Sequence, residues 1–146
     1  MKAEDYALLK DEYFHLQHAV EDFDQRGLTI KAWSVTTSMV GIGLSFQKDN
    51  SPVLCLLAAA ASLSFWLTEA LWKSFQHCYY PRLRTIEKAF REPDSQEKPL
   101  QITTEWSQAF HDDRIGRFFR VFFFPHVMLP HGLIVVGGVL IWLWRR

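Results

Sequence analysis

The chain has 146 residues, with sixteen Lys and Arg balancing sixteen Asp and Glu. That length fits one domain, and the zero net charge supplies no overall field to gather nucleic acid or a strongly acidic partner. The mean hydropathy of −0.06 averages over a segregated chain: apolar residues gather in 32–46, 52–72 and 121–144, and nearly all charges lie between them.

Residues 1–27 read as a cytoplasmic amphipathic helix. Over 4–25, Tyr6, Leu9, Tyr13, Leu16, Val20 and Phe23 recur at alternating steps of three and four, a heptad stripe, with acids and lysine between them. The stripe needs a partner, either another helix of the same chain or the same helix of a neighbouring subunit. The start carries acids where a secretory signal needs a basic region and then an apolar one. The first apolar span is therefore expected to act as its own membrane address. Gly27 is expected to allow a bend before it.

Residues 28–47 are expected to form transmembrane helix 1. The uncharged part, 32–46, covers only about 22 Å of a ~30 Å hydrocarbon core, so flanking residues must contribute. It is rich in small and hydroxylated residues. Thr37, Gly41 and Ser45 fall four apart, a small-xxx-small stripe. Together with Ser34 they are candidates for close helix packing or for lining a pore. Hydroxyls in lipid can bond back to their own helix.

Turn formers at Lys48–Pro52 lead into transmembrane helix 2 over 52–72, closing a tight antiparallel hairpin. Ala60, Ser64 and Thr68 repeat the small stripe, so the two spans are expected to dock through it. Glu69 is the single acid of this span, four residues before Lys73. An intramembrane acid is a functional candidate by default. Its place near the end of the span favours a solvated or Lys73-paired carboxylate.

Residues 73–120 read as basic cytoplasmic helices interrupted by a loop at 91–101. Tyr79, Leu83, Ile86 and Phe90 make the apolar stripe of the first, which Pro81 is expected to kink. Ile102, Trp106 and Phe110 begin another helix, expected to run through Arg114, Arg117 and Arg120 into the last apolar run. Arg82, Arg84, Lys88, Arg114, Arg117 and Arg120 are candidates for anionic lipid head groups or a cytoplasmic protein partner.

Residues 121–144 are expected to form transmembrane helix 3, kinked at Pro125 and Pro130, each of which removes a backbone donor. His126 and His131 are five residues apart and point about 140° away from each other on a straight helix, which argues against a metal pair. They are better read as donors to a neighbouring helix or trapped water at a helix defect. A second geometry turns at Pro130–Gly132 and returns to the cytoplasm; the kinked span is preferred. With the N-terminus inside, thirteen basic residues lie on the cytoplasmic side and three (Lys48, Arg145, Arg146) outside, a clear positive-inside bias. Trp33, Trp72, Trp142 and Trp144 mark span ends.

No other constellation carries chemistry. Cys55 and Cys78 read as free reduced thiols. His15 with His18, and His111 with Asp112 and Asp113, read as hydrated surface. Asp24 and Arg26 could form an ion pair or engage a partner. Glycine-rich phosphate loops, nucleophile elbows and paired catalytic carboxylates are all missing. No catalytic, cofactor-binding or metal residue is assigned, and neither a cofactor nor a nucleic-acid partner is expected.

The stretch DQRGLTIKAWSVTTSMVGIGLSF, followed by FWLTEALWKSFQHCYYPRLRTIE, resembles the SLATT-type two-span effector domains of small bacterial inner-membrane proteins in layout over about residues 4–92. The resemblance implies oligomerisation and action as a membrane-perturbing effector in antiviral or nucleotide-signalling systems. It transfers no individual residue. The third apolar run departs from a plain two-span layout. The sequence thus reads as an all-α integral membrane protein of the bacterial inner (cell) membrane: amphipathic helix, two-span hairpin, cytoplasmic helices, third span. The expected function is a homo-oligomeric pore or membrane perturbation, and the alternative is a non-conducting scaffold that recruits a cytoplasmic partner.

Overall fold

The computed structural model describes residues 3–47, 51–92 and 95–146. Positions 48–50 of the expected turn at Lys48–Pro52, residues Lys2 and Lys48 of the charge count, and positions 93–94 of the 91–101 loop lie outside the described residues. All the regular structure within them is helical: α1 (Ala3–Ser45), α2 (Val53–Gln76), α3 (Tyr80–Arg91), α4 (Ile102–Asp112), α5 (Arg114–Phe122), α6 (Pro125–Met128) and α7 (His131–Arg145). The all-α expectation holds. One helical stretch among the described residues, Val53–Arg91, is long and apolar enough to cross a membrane; α7 is apolar but shorter.

The amphipathic segment and the first apolar segment are one unbroken helix, so Gly27 makes no bend. The reason is what packs there. Gly27 is buried, and a Cβ on it would meet only the Lys73 side chain at 3.8 Å. Gln76 of α2 donates to the Val20 carbonyl at 2.8 Å and to the Asp24 carboxylate at 3.0 Å. These ties hold α1 against α2 over the two turns before the glycine. A single inward stripe then runs the length of α1 at steps of four and seven: Leu9, Leu16, Val20, Gly27, Ser34, Ser38 and Ser45 are all buried. Its chemistry changes along the way. The first half fills the stripe mainly with large apolar groups. The second half uses glycine and serine, which permit close backbone approach and hydrogen bonding.

The first half of α1 packs on α3. Leu9, Leu16 and Val20 bury against Leu83, Ile86 and Ala89, with Tyr13, Tyr79, Tyr80 and Ile102 closing the cluster. Tyr6 meets Phe90 at a ring distance of 5.5 Å, and Phe23 meets Trp72 at 4.7 Å. The heptad stripe is thus covered from within the chain, as the first of its two possible partners required. α3 separates from α2 over His77–Tyr79, and Pro81 sits in the first turn of α3, where no N–H is demanded. The expected kink is a break between two helices.

The basic hub of this half is Arg82. Its guanidinium, 1% exposed, pairs with both oxygens of Glu12 (2.8 and 3.0 Å) and reaches Glu97 at 2.8 Å, Glu105 at 2.9 Å and the Lys98 carbonyl at 2.7 Å. Glu12 also accepts from the Leu100 amide at 2.8 Å, where Leu100 adopts φ 63°. Arg82 therefore faces neither lipid nor partner; it ties α1, α3, α4 and the 95–101 connection together. Glu12, on the expected polar face, is buried for the same reason.

The second half of α1, α2 and α7 form a three-helix bundle. α7 runs antiparallel to α2 and parallel to α1: His131 lies beside Ser34 and Glu69, while Arg145 donates to the Ser45 carbonyl and stacks over Phe46. This corrects the single kinked third span. α5 ends at Phe122, Phe124 and Leu129 are extended, and α7 begins at His131. Trp66 holds the break by donating to the Phe122 carbonyl at 3.0 Å and stacking on the Phe122 ring at 4.3 Å. α7 ends at the opposite end of the bundle from where it starts. α4 and α5 likewise part at Asp113 (φ −149°, ψ 52°), where Arg117 caps α4 by donating to the Ala109 and Phe110 carbonyls at 2.6 and 3.0 Å.

Gly138 sets the spacing of the bundle. A Cβ there would stand 2.9 Å from the Cys55 carbonyl oxygen and 3.2 Å from the Ala59 Cβ, whereas one at Gly137 would meet open space. Gly138→Leu is expected to pry α7 from α2 and lower stability by about 1–3 kcal/mol, read by thermal unfolding in detergent. Gly137→Leu is the control; equal effects of the two would contradict the spacing role.

Candidate functional site

A polar cluster crosses the bundle near the start of α7. Glu69 reaches it because α2 buries one stripe, Cys55, Ala59, Ser62, Trp66 and Glu69, which points the carboxylate inward. Pro130 precedes α7 and delivers His131 at its first residue, where the backbone break turns the ring into the bundle. Lys31 and Ser34 come from adjacent turns of the α1 stripe.

His131 and Glu69 are both 0% exposed. The His131 Nε2 lies 2.9 Å from Glu69 Oε2, and its Nδ1 lies 2.8 Å from the Ser34 hydroxyl. Ser34 is 3.3 Å from the Ser62 hydroxyl, which donates to the His131 carbonyl at 3.3 Å. Glu69 Oε1 accepts no hydrogen bond of good geometry; the Lys31 ammonium, 2.7 Å away, neutralises it as an ion pair. Lys73, the expected partner of Glu69, is paired with Asp24 instead and also donates to Gln76 at 3.0 Å. The carboxylate is enclosed rather than solvated, because the neighbouring helix brings Lys31 and the third brings His131.

Proton counting shows what this arrangement can do. With neutral His131 protonated at Nε2, the ring donates to Glu69 and Ser34 donates to Nδ1. With the imidazolium, Nδ1–H donates to Ser34, Ser34 turns its hydrogen to Ser62, and Ser62 donates to the His131 carbonyl. Both states leave the ring nitrogens and hydroxyls partnered. The cluster can therefore take up one proton at His131 by turning hydroxyls, without moving a helix.

The other predicted residues divide clearly. Ser45 is buried and bonds to the Ile42 carbonyl at 2.6 Å, and Cys55 donates to Ser45 at 3.0 Å. Gly41 packs close to α2, where an added Cβ would meet Ala58 Cβ at 3.1 Å. Thr37 faces outward, and the inward position is taken by Ser38, which donates to the Ala58 carbonyl at 3.2 Å. Ala60, Ser64 and Thr68 also face outward, not toward α1; Ser64 and Thr68 bond back to carbonyls one turn earlier. His126 is exposed and stands apart from His131. Lys31, Ser38 and Ser62 were missed. The signal was the heptad spacing of Gly27, Lys31, Ser34, Ser38, Gly41 and Ser45, hidden by treating Gly27 as a break.

On α3 and α5, Arg84, Lys88, Arg114 and Arg120 are exposed. Lys88 lies 3.8 Å from Glu92, Arg120 lies 3.3 Å from Asp113, and Arg114 sits over the Phe110 ring. Arg26 sits over Trp72 at 5.4 Å. Burial works against ionisation of Asp24, but hydrogen bonds from Lys73 and Gln76 and the Lys73 charge hold its carboxyl below the usual range. Burial, reinforced by Lys73, Arg117, His126 and Arg120, holds the His77 imidazole below its ordinary value. Both cysteines are free and buried, and burial raises the Cys78 thiol. The chain matches no protein-family description, no curated protein and no solved structure.

Proposed function

We propose that the protein is a multi-span protein of the cell membrane that self-associates and passes ions or disturbs the bilayer under control of the Lys31–Glu69–His131 cluster. In this reading the second half of α1, α2 and α7 cross the membrane, with the N-terminus cytoplasmic. The observation that carries it is the enclosure of three ionisable side chains among apolar helices. From His131 to Arg145, and from Lys31 to Ser45, the rise is about 21 Å. With the outer ends at the far boundary of a ~30 Å hydrocarbon layer, the cluster falls inside that layer. Ionisable groups there are expensive, and they mark ion or proton pathways.

The proposed contact between copies is the outward face of α2. Ala60, Ser64 and Thr68 form a small stripe there, flanked by exposed Leu57, Leu67 and Leu71. Conduction is expected between copies, since the inward hydroxyls within one copy are already bonded to other groups of the bundle. Ser64→Leu is expected to dissociate the assembly and abolish ion flux, with subunit number measured in mild detergent and flux in liposomes. A monomeric wild type that passes no ions under any trigger would sink the reading. A second reading, a non-conducting scaffold, is favoured by α5, whose Ile115 and Phe119 are exposed beside Arg114 and Arg120. It predicts membrane binding and partner capture with no flux.

A further inference from the structure

A cleft of about 430 Å³ opens where α3 meets α5, lined by His77, Tyr80, Arg84, Asp113, Arg117 and Arg120, with Val121 and Phe124 at its apolar edge. None of the residues that form the buried cluster lines it. Its position follows from the fold. Val121 is buried against Trp66 and Ala70 of α2, so the apolar edge continues the bundle, while the arginines stand on the aqueous side. The exposed Phe119 of α5 and Phe123 just after it flank Arg120.

The charges are arranged for an anion. Three guanidiniums face the cleft against one carboxylate, Asp113. Arg84 makes no ion pair or hydrogen bond among the described residues. Arg120 is half-engaged, through one nitrogen 3.3 Å from Asp113. Arg117 is fixed by its bonds to α4 and to Ser74 at 3.3 Å, so it supplies charge without needing to be ordered. Planar forks of this kind suit phosphate oxygens, which they can bind in bidentate fashion.

We propose that this cleft binds a phosphate group, with Arg84 and Arg120 as its mobile ligands and Arg117 as its fixed positive charge. The same chemistry is offered by a phospholipid head group at the membrane boundary or by a phosphate in solution. The inference is independent of ion passage: the cleft can be occupied in a conducting protein or in a scaffold. His77 is a built-in reporter: burial first and then the surrounding cations hold its imidazole low, and a bound anion would offset the cations and move its titration upward.

The test uses the full chain in detergent with inorganic phosphate as one probe, and in nanodiscs of phosphatidylcholine with or without phosphatidic acid as the other. The readouts are affinity and the His77 ring resonance. Arg84→Gln and Arg120→Gln, both at exposed positions, are each expected to weaken binding about tenfold or more and to abolish the His77 shift. Lys88→Gln, a basic residue outside the cleft, is expected to change neither. Response to inorganic phosphate assigns a soluble ligand, and response to phosphatidic acid alone assigns a head group. Binding of neither probe, or binding that Lys88→Gln weakens as much as Arg84→Gln does, overturns the proposal.

Discussion

Glu69→Ala is expected to cost about 3 kcal/mol, because it leaves a buried ammonium and an imidazole that have lost their shared carboxylate. The figure falls at the lower end of what breaking a buried pair costs, since the Lys31 side chain is 21% exposed and can regain some water. Unfolding of the detergent-solubilised protein measures the loss. Removing both charges together, as Lys31→Met with Glu69→Leu, is expected to recover most of it, because the desolvation cost goes with the charges. If the double variant were as unstable as the single, the pair would not be the source of the effect.

Arg82→Met is expected to have the other large effect, about 3–5 kcal/mol. It leaves Glu12, Glu97 and Glu105 around a cavity with no cation, and the Lys98 carbonyl without its donor. The damage should be local. The 95–101 connection should become sensitive to protease, and α4 should loosen from α1 and α3, while the bundle of α1, α2 and α7 keeps its contacts. Adding Glu12→Gln should restore part of the loss by lowering the repulsion. Protection of the connection equal to wild type in Arg82→Met would contradict the role assigned to the guanidinium.

The helical class was legible because 3.6-residue periodicity is local, and the heptad stripe from Leu9 to Val20 pointed to the face that α3 covers. What the periodicity could not supply was the rotation of each apolar helix. In the apolar segments both faces are apolar or small, so Ala60, Ser64 and Thr68 looked as suitable for packing as Cys55, Ala59 and Ser62. The choice was made by polar groups far apart in sequence: Glu69 needs Lys31, His131 needs Ser34, and these pairings rotate α2 and α7 into place. Gly27 misled for a related reason. A glycine permits a bend, but here α1 is packed against α2 beside Gly27 and runs straight through it.

The same logic accounts for Arg82 and Glu12. Each sits on a helix face that reads as solvated when taken alone, and only the meeting of α1 with α3 and α4 encloses them. The two Pro-His pairs were legible as a defect in the last apolar run. Their separate roles were not, since the break after Phe122 buries His131 against Glu69 and leaves His126 outside.

Neutralising Glu69 would give the enclosed cluster net positive charge, with Lys31 set against no carboxylate; Lys73 and Asp24, one turn away, neutralise each other. Enclosed net charge is costly in an apolar bundle, and admitting water relieves it. The most direct measurement is ion flux through reconstituted liposomes for wild type and Glu69→Gln at equal assembly size. Wild-type flux is predicted to be low, and Glu69→Gln is predicted to conduct well above it. Equal flux from the two proteins, or no flux from either, would contradict control by the cluster.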